Sequence, residues 1–230
     1  MPYMIVPWEK GYGVVSRSGK ILSNHPLSLI QAKKQKVAVV LSEIRKGVGA
    51  GLEGGTAEQE AYSLSDLDLE KIVHGIKLFK YPDLHNMSSI HDAFDKWGRA
   101  MMLYLTTDDS SGHWVCMIKD DNKKTIEYFD PYGGYSPDGE RKWLSPEKLA
   151  ELGEDVPILS RMIKESGYKV NSNPHHFQKE GQRTNTCGRH SACRLLLGGL
   201  SLPQYTKIVM GSGVEPDEFV TELTSRILHK

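Results

Sequence analysis

The sequence is short of cysteine, of long apolar runs and of any excess charge. Its three cysteines, Cys116, Cys187 and Cys193, are too few and odd in number for a disulfide scaffold, which argues for a reducing compartment. No stretch approaches the roughly eighteen consecutive apolar residues of a membrane helix, so no membrane contact is expected. The opening residues, Met-Pro-Tyr-Met-Ile-Val-Pro-Trp-Glu-Lys, show no basic flank before an apolar run, and no secretory signal is expected. Internal repeats and low-complexity tracts are also missing. The 29 Lys and Arg balance the 29 Asp and Glu, which excludes a wholly basic nucleic-acid coat and an acidic tail protein. What remains is ordinary for a soluble globular chain: 230 residues, 39% apolar and 25% charged, enough for one substantial core plus an arm or small subdomain.

The zero net charge hides an asymmetry. Residues 1–48 carry eight Lys/Arg against two Asp/Glu, and residues 49–112 carry five against eleven. The two surfaces either complement each other within one fold or leave a basic arm for weak contact with DNA or another polyanion. Between them Gly47–Thr56 holds five glycines in ten residues, too costly in backbone entropy for a regular element. The expected organisation is a basic arm over 1–48, a glycine-rich linker over 49–61 and a domain over 62–230.

Apolar spacing predicts a helix over 26–46, a second starting at Ser65 or Asp66, and a third opened by Asn86 or Ser88 with Ile90, Phe94 and Trp97 on one side. Three strands follow, at 100–106, 113–118 and 125–130, separated by the turns 108–112 and 120–124, which makes an antiparallel meander. Residues 144–167 read as mainly helical with a break at Pro157. Short strands are expected at 168–170 and at His176–Phe177, and helices over 188–197 and 216–228. Helices before and after a central sheet indicate the α+β class.

The segment Thr184-Asn-Thr-Cys-Gly-Arg-His-Ser-Ala-Cys193 sets Cys187 at the start of an apolar helix. Partial positive charge and unpaired N–H groups there favour a thiolate and can hold an oxyanion. Gly188 allows close approach of substrate. A nucleophilic thiol needs a base, and the base needs an orienting group. His113 starts one strand and Asp130 ends the next, and a turn near residue 122 sets them opposite each other, within reach of a hydrogen bond. Cys187, His190 and Cys193, with His175 and His176, fit a compact zinc site poorly, because Cys193 lies about 120° around the helix from Cys187. No metal or other cofactor is expected; Cys116 and Cys193 read as core residues and His190 as a helix-face residue near the site.

His-Trp at a strand start, Phe-Asp-Pro-Tyr-Gly after the next strand, and Gln upstream of Thr-Cys-Gly at a helix start resemble the adenain-like and SUMO-protease-like cysteine peptidases, most of all those of large DNA viruses. The resemblance covers about residues 62–210. It implies a papain-related α+β fold with a central, mainly antiparallel sheet of about five strands. It also implies His113 as general base, Asp130 as its orienting group, Cys187 as nucleophile and Trp114 as a wall of the site. The family's oxyanion-hole glutamine falls on Gln178, which follows an apolar residue as in viral relatives, with Gln182 as the alternative.

By that resemblance the chain is a thiol endopeptidase acting on protein substrates after Gly-Gly or Gly-X-Gly, made in the host cytoplasm and packaged in the virion, where it processes structural precursors. Deconjugation of SUMO or ubiquitin-like modifiers is the alternative, and a non-enzymatic capsid- or nucleic-acid-associated protein the second. Gly54-Gly55 is itself a sequence such a site would accept, so self-cleavage there would release the arm.

Overall fold

A computed structural model describes residues 3–16, 19–48, 56–108, 110–179, 181 and 184–228. The Gly54-Gly55 pair, most of the glycine-rich segment and Gln182 lie outside the described residues. The chain opens with strands β1 (Met4–Trp8) and β2 (Gly11–Val15) and helices α1 (Leu29–Val48), α2 (Ala57–Ala61) and α3 (Asp66–Ile72). Strands β3 (Lys77–Lys80), β4 (Arg99–Leu105), β5 (Gly112–Asp120) and β6 (Thr125–Phe129) come next. Helices α4 (Pro146–Leu152) and α5 (Ile158–Ser166), strand β7 (Lys169–Ser172) and helices α6 (Cys187–Leu196), α7 (Leu202–Met210) and α8 (Pro216–Leu228) complete it. The class is α+β. Among the described residues no helix is long and apolar enough to cross a membrane. Contacts sort the chain into two compact units, one of residues 75–181 and the other of residues 1–74 and 182–230.

The 75–181 unit is built on a five-stranded sheet in the order β3-β4-β5-β6-β7. The meander is its centre: β4 and β6 both pair antiparallel with β5. The edge strands β3 and β7 pair parallel with β4 and β6, so antiparallel pairing is confined to the middle. β4 is almost wholly buried, which explains its unbroken apolar sequence. One face of the sheet, with Met102, Tyr104, Val115, Met117 and Tyr128, packs with Ile158, Leu159 and Ile163 of α5. Pro157 starts α5.

Two expectations fail here. No helix runs from Asn86 to Trp97; the chain makes two 3₁₀ turns, Tyr81–Asn86 and Ile90–Ala93. Aspartates capture the backbone N–H groups a helix would have used: Asp92 Oδ2 accepts from Ser88 and Ser89 at 2.9 and 3.0 Å, and Asp95 Oδ1 from Trp97 and Arg99 at 2.8 and 2.9 Å. His176–Phe177 is not a strand either. The Phe177 and Gln178 N–H groups both donate to the Pro131 carbonyl, at 2.9 and 3.0 Å.

In the other unit β1 and β2 form an antiparallel hairpin, and Tyr12 bridges on to Leu27, which delays α1 to Leu29. A Cβ on Gly199 would lie 2.8 Å from Val37 Cγ2 and 3.0 Å from the Lys33 carbonyl oxygen, so the corner after α6 packs directly on α1. α2 and α3 begin with capping boxes at Thr56/Gln59 and Ser65/Asp68, as the serine before an acidic turn at 65–68 implies. Both pack with α8, and α3 also with α6.

Candidate active site

Within the 75–181 unit, His113 and Asp130 meet. His113 Nε2 lies 2.8 Å from Asp130 Oδ1, with the two side chains only 5% and 0% exposed. The route differs from the expected one. Cys116 pairs with Phe129, so extending the ladder sets Asp130 opposite Val115, two residues from His113. A two-residue offset keeps both side chains on one face of the sheet, where a one-residue slip would have separated them. Diagonal neighbours are still within reach of long side chains. Asp130 Oδ1 also accepts the Tyr132 N–H at 2.8 Å. Around its backbone, the Asp130 N–H donates to Asn173 Oδ1 and its carbonyl accepts from Asn173 Nδ2, each at 2.8 Å.

Burial alone would raise the Asp130 carboxyl. The hydrogen bond and charge of His113, then bonds from Glu140 and the Tyr132 N–H, hold it below the ordinary aspartate range. Glu140 goes the other way: burial, then the hydrogen bond and charge of Asp130, push it up to about 9. Aromatic rings fix the imidazole. Tyr132 stacks on His113 with centroids 4.7 Å apart and planes 10° from parallel, and Trp143 meets it edge-on at 5.1 Å. Trp143 is itself held by the Tyr135 hydroxyl, which accepts its indole N–H at 3.1 Å.

Gln178 is 2% exposed, and its N–H bond to Pro131 puts it beside the Asp130 turn. Trp114 is buried on a different side from His113. Successive residues of a strand face opposite ways; His113 pairs with Tyr104, and Trp114 with Leu103. Tyr132 and Trp143 are two rings that touch His113. Neither was singled out in the sequence, although Tyr132 belongs to the Asp-Pro-Tyr-Gly motif. Glu140 was missed as well, and no spacing signal marks it.

In the other unit Cys187 is the first residue of α6, after the N-cap Thr186. The first helical bond runs from the His190 N–H to the Thr186 carbonyl at 2.9 Å. The Cys187, Gly188 and Arg189 N–H groups therefore have no acceptor within the helix, the arrangement that suits an anion at a helix start. Cys187 is partly exposed, whereas Cys116 and Cys193 are fully buried, and burial pushes the Cys193 thiol far up.

The residues around Cys187 are anchors. The Asn185 N–H donates to the Glu60 carbonyl at 2.9 Å and its Nδ2 to the Ala61 carbonyl at 2.8 Å, satisfying the end of α2. Arg189, 2% exposed, donates to Thr224 Oγ1 and, at 3.0 Å, to the Gln59 carbonyl. His190 packs on the inner face of α6: it is 0% exposed, with Nε2 2.9 Å from Asp217 Oδ1, the oxygen that also accepts from the Thr186 hydroxyl.

No protein-family model matches the chain. Among solved structures it is similar to the ASFV pS273R protease, at 14% identity and a TM-score of 0.40 over 74% of this chain and 70% of that one. It is also similar to the C-terminal Ulp1 protease domain in complex with Smt3, the yeast orthologue of SUMO, at 17% identity and a TM-score of 0.36 over 74% and 80%. In sequence it is 33% identical over 170 residues to the Sputnik virophage protein described as uncharacterized protein V9, spanning 72% of this chain and 95% of that protein. With that identity over nearly all of the relative's length, the chain belongs to the family of the virophage V9 protein.

Proposed function

We propose that this chain is a thiol endopeptidase in which Cys187 is the nucleophile, His113 the base and Asp130 the group that orients it. The observation that carries the reading is the buried His113–Asp130 pair, stacked and edged by aromatic rings. A histidine fixed this firmly, with one nitrogen on a carboxylate, can take a proton at Nδ1 and return it. The thiolate attacks the substrate carbonyl, the imidazolium returns its proton to the leaving amine, and water then hydrolyses the thioester with His113 again as base. The helix-start N–H groups around Gly188, with the Gln178 amide, bind the oxyanion. No step uses a metal, so EDTA should leave activity intact.

The substrates proposed are proteins cut after Gly-Gly or Gly-X-Gly, and precursors of virion structural proteins are the class favoured. The motif order His, Asp, Gln, Cys supports the peptidase reading; membership of a virophage protein family supports the viral setting. The papain-related fold, the virion and host-cytoplasmic location, the role of Trp114 at the site and weak polyanion contact through residues 1–48 belong to the same proposal.

The test is the pH dependence of Cys187 alkylation by iodoacetamide, read by intact mass. The wild type should react at a pH well below that of an ordinary thiol, and His113→Ala should lose that reactivity. Identical profiles in the two proteins would sink the mechanism. Incubation with virion precursors and with modifier fusions then separates maturation from deconjugation.

A further inference from the structure

Asp130 and Glu140 are two neighbouring buried carboxyl groups, 0% and 2% exposed. Each has one well-supplied oxygen. Asp130 Oδ1 accepts from His113 and the Tyr132 N–H. Glu140 Oε1 accepts from the Tyr128 hydroxyl, whose oxygen lies 3.4 Å from the Tyr104 hydroxyl. The other two oxygens, Asp130 Oδ2 and Glu140 Oε2, are buried with no N–H or O–H of the protein to accept from. Yet each carboxyl lies near enough to the other to act on it, and two ionised carboxylates have no hydrogen to share.

One proton resolves this. Left ionised, the pair would bury like charges side by side and leave two oxygens without donors, both costly. With a proton on one carboxyl, the two oxygens satisfy each other. Its place follows from the surroundings. Asp130 faces His113 and the Tyr132 N–H, whereas Glu140 has no cation beside it, only the hydroxyls of Tyr128 and Tyr104 and its own backbone N–H. The neighbouring charges are turned away. Arg141 donates to the Glu154 and Asp155 carbonyls, and Asp138 accepts from the Tyr81 hydroxyl and the Ser160 N–H.

We propose that Glu140 is a neutral carboxylic acid at pH 7 whose O–H donates to Asp130 Oδ2, making it a positioning residue that acts on His113 through Asp130. Its proton keeps the carboxylate beside His113 singly charged and fixes its rotamer from the side away from the imidazole. The row Tyr104–Tyr128–Glu140–Asp130–His113 then links β4, β6 and β5 through side-chain hydrogen bonds. The catalytic consequence rests on the peptidase reading; the position of the proton does not.

The experiment uses the full chain with Glu140→Gln and Glu140→Leu. A carboxamide can donate to Asp130 Oδ2 and accept from Tyr128 as the acid does, and leucine can do neither. In a Glu154→Gln background, which removes the other raised carboxyl, the chain should show the infrared carbonyl band of a protonated carboxylic acid at pH 7, and adding E140Q should abolish it. The imidazole titration of His113, followed by NMR, should stay in place in E140Q, because one neutral group replaces another. E140Q should retain most of kcat, while E140L loses on the order of 10-fold or more in kcat with little change in KM. Absence of the band in the Glu154→Gln background, or a band that E140Q leaves unchanged, overturns the assignment. So does a His113 midpoint that falls in E140Q, which would mean that a negative charge had been removed. A chain without peptidase activity that still shows the band would overturn the peptidase reading and leave the proton on Glu140.

Discussion

His113, the proposed base, is held by several groups at once. Tyr132 and Trp143 hold its plane, and Asp130 sets its tautomer by accepting at Nε2. On the proposed mechanism, replacing Asp130 with alanine should lower kcat on the order of 10²–10⁴-fold, less than loss of His113 or Cys187, because a group that orients the base forms no covalent bond. Steady-state rates of the three alanine variants test that ranking. Gly133 guards the same turn from behind. Its φ is +70°, and a Cβ there would lie 2.2 Å from the His175 carbonyl oxygen. Gly133→Ala should therefore cost about 1–3 kcal/mol, read from urea unfolding, and an unshifted midpoint would contradict it. At this scale residue type and motif singled out His113, Asp130 and Cys187, of which the first two meet in a hydrogen bond. It did not reveal Trp143 or Glu140, which reach the imidazole and its partner from the segment after the Asp130 turn, where no periodicity announces a contact. The His113–Asp130 bond was legible although the assumed register was not, since an even offset preserves the face.

The helix that presents Cys187 is fastened at its start by another helix. Asp217, 1% exposed in the first turn of α8, holds both Thr186 and His190 of α6. Asp217→Ala would leave a buried imidazole and a buried hydroxyl without their acceptor. The expected cost is about 3–5 kcal/mol, seen as a lowered unfolding midpoint, together with slower alkylation of Cys187 as the first turn of α6 frays. Unchanged stability would show that the anchor lies elsewhere. Elements with internal signals were legible: α3 from its cap, β4 from its unbroken apolar run, and α8 from its amphipathic spacing. α7 carries its own signal, a Ser201/Gln204 capping box with Pro203 in the first turn. The β1–β2 hairpin and the short β3 were not legible. Each depends on a partner strand to satisfy its backbone, and a strand of four or five residues carries too few side chains to show alternation.

Across the whole molecule, buried carboxyls set opposite limits on the pH range of stability. Asp130 has a lowered pKa, so its contribution is present above 3.8 and is lost as the pH falls below that value. Glu140 and Glu154 have raised values: Glu140 shifts from 4.5 to about 9 through burial and Asp130, and Glu154 from 4.5 to about 7 mainly through burial. A raised acid binds more protons folded than unfolded once the pH exceeds 4.5. Its contribution is therefore complete below 4.5 and is lost as the pH rises through the folded value. The two glutamates together predict stability that peaks near pH 5 and declines through pH 7 towards 9. Glu154 is well suited to a neutral replacement, because its Oε1 accepts the Leu105 N–H at 2.7 Å, a role a glutamine oxygen fills equally. Urea unfolding at pH 5, 7 and 9 should therefore show a falling midpoint in the wild type and a nearly level one in a Glu140→Gln, Glu154→Gln double variant. If the double variant declines as steeply as the wild type, other groups govern the alkaline limb and these two carboxyls are ionised in the folded protein.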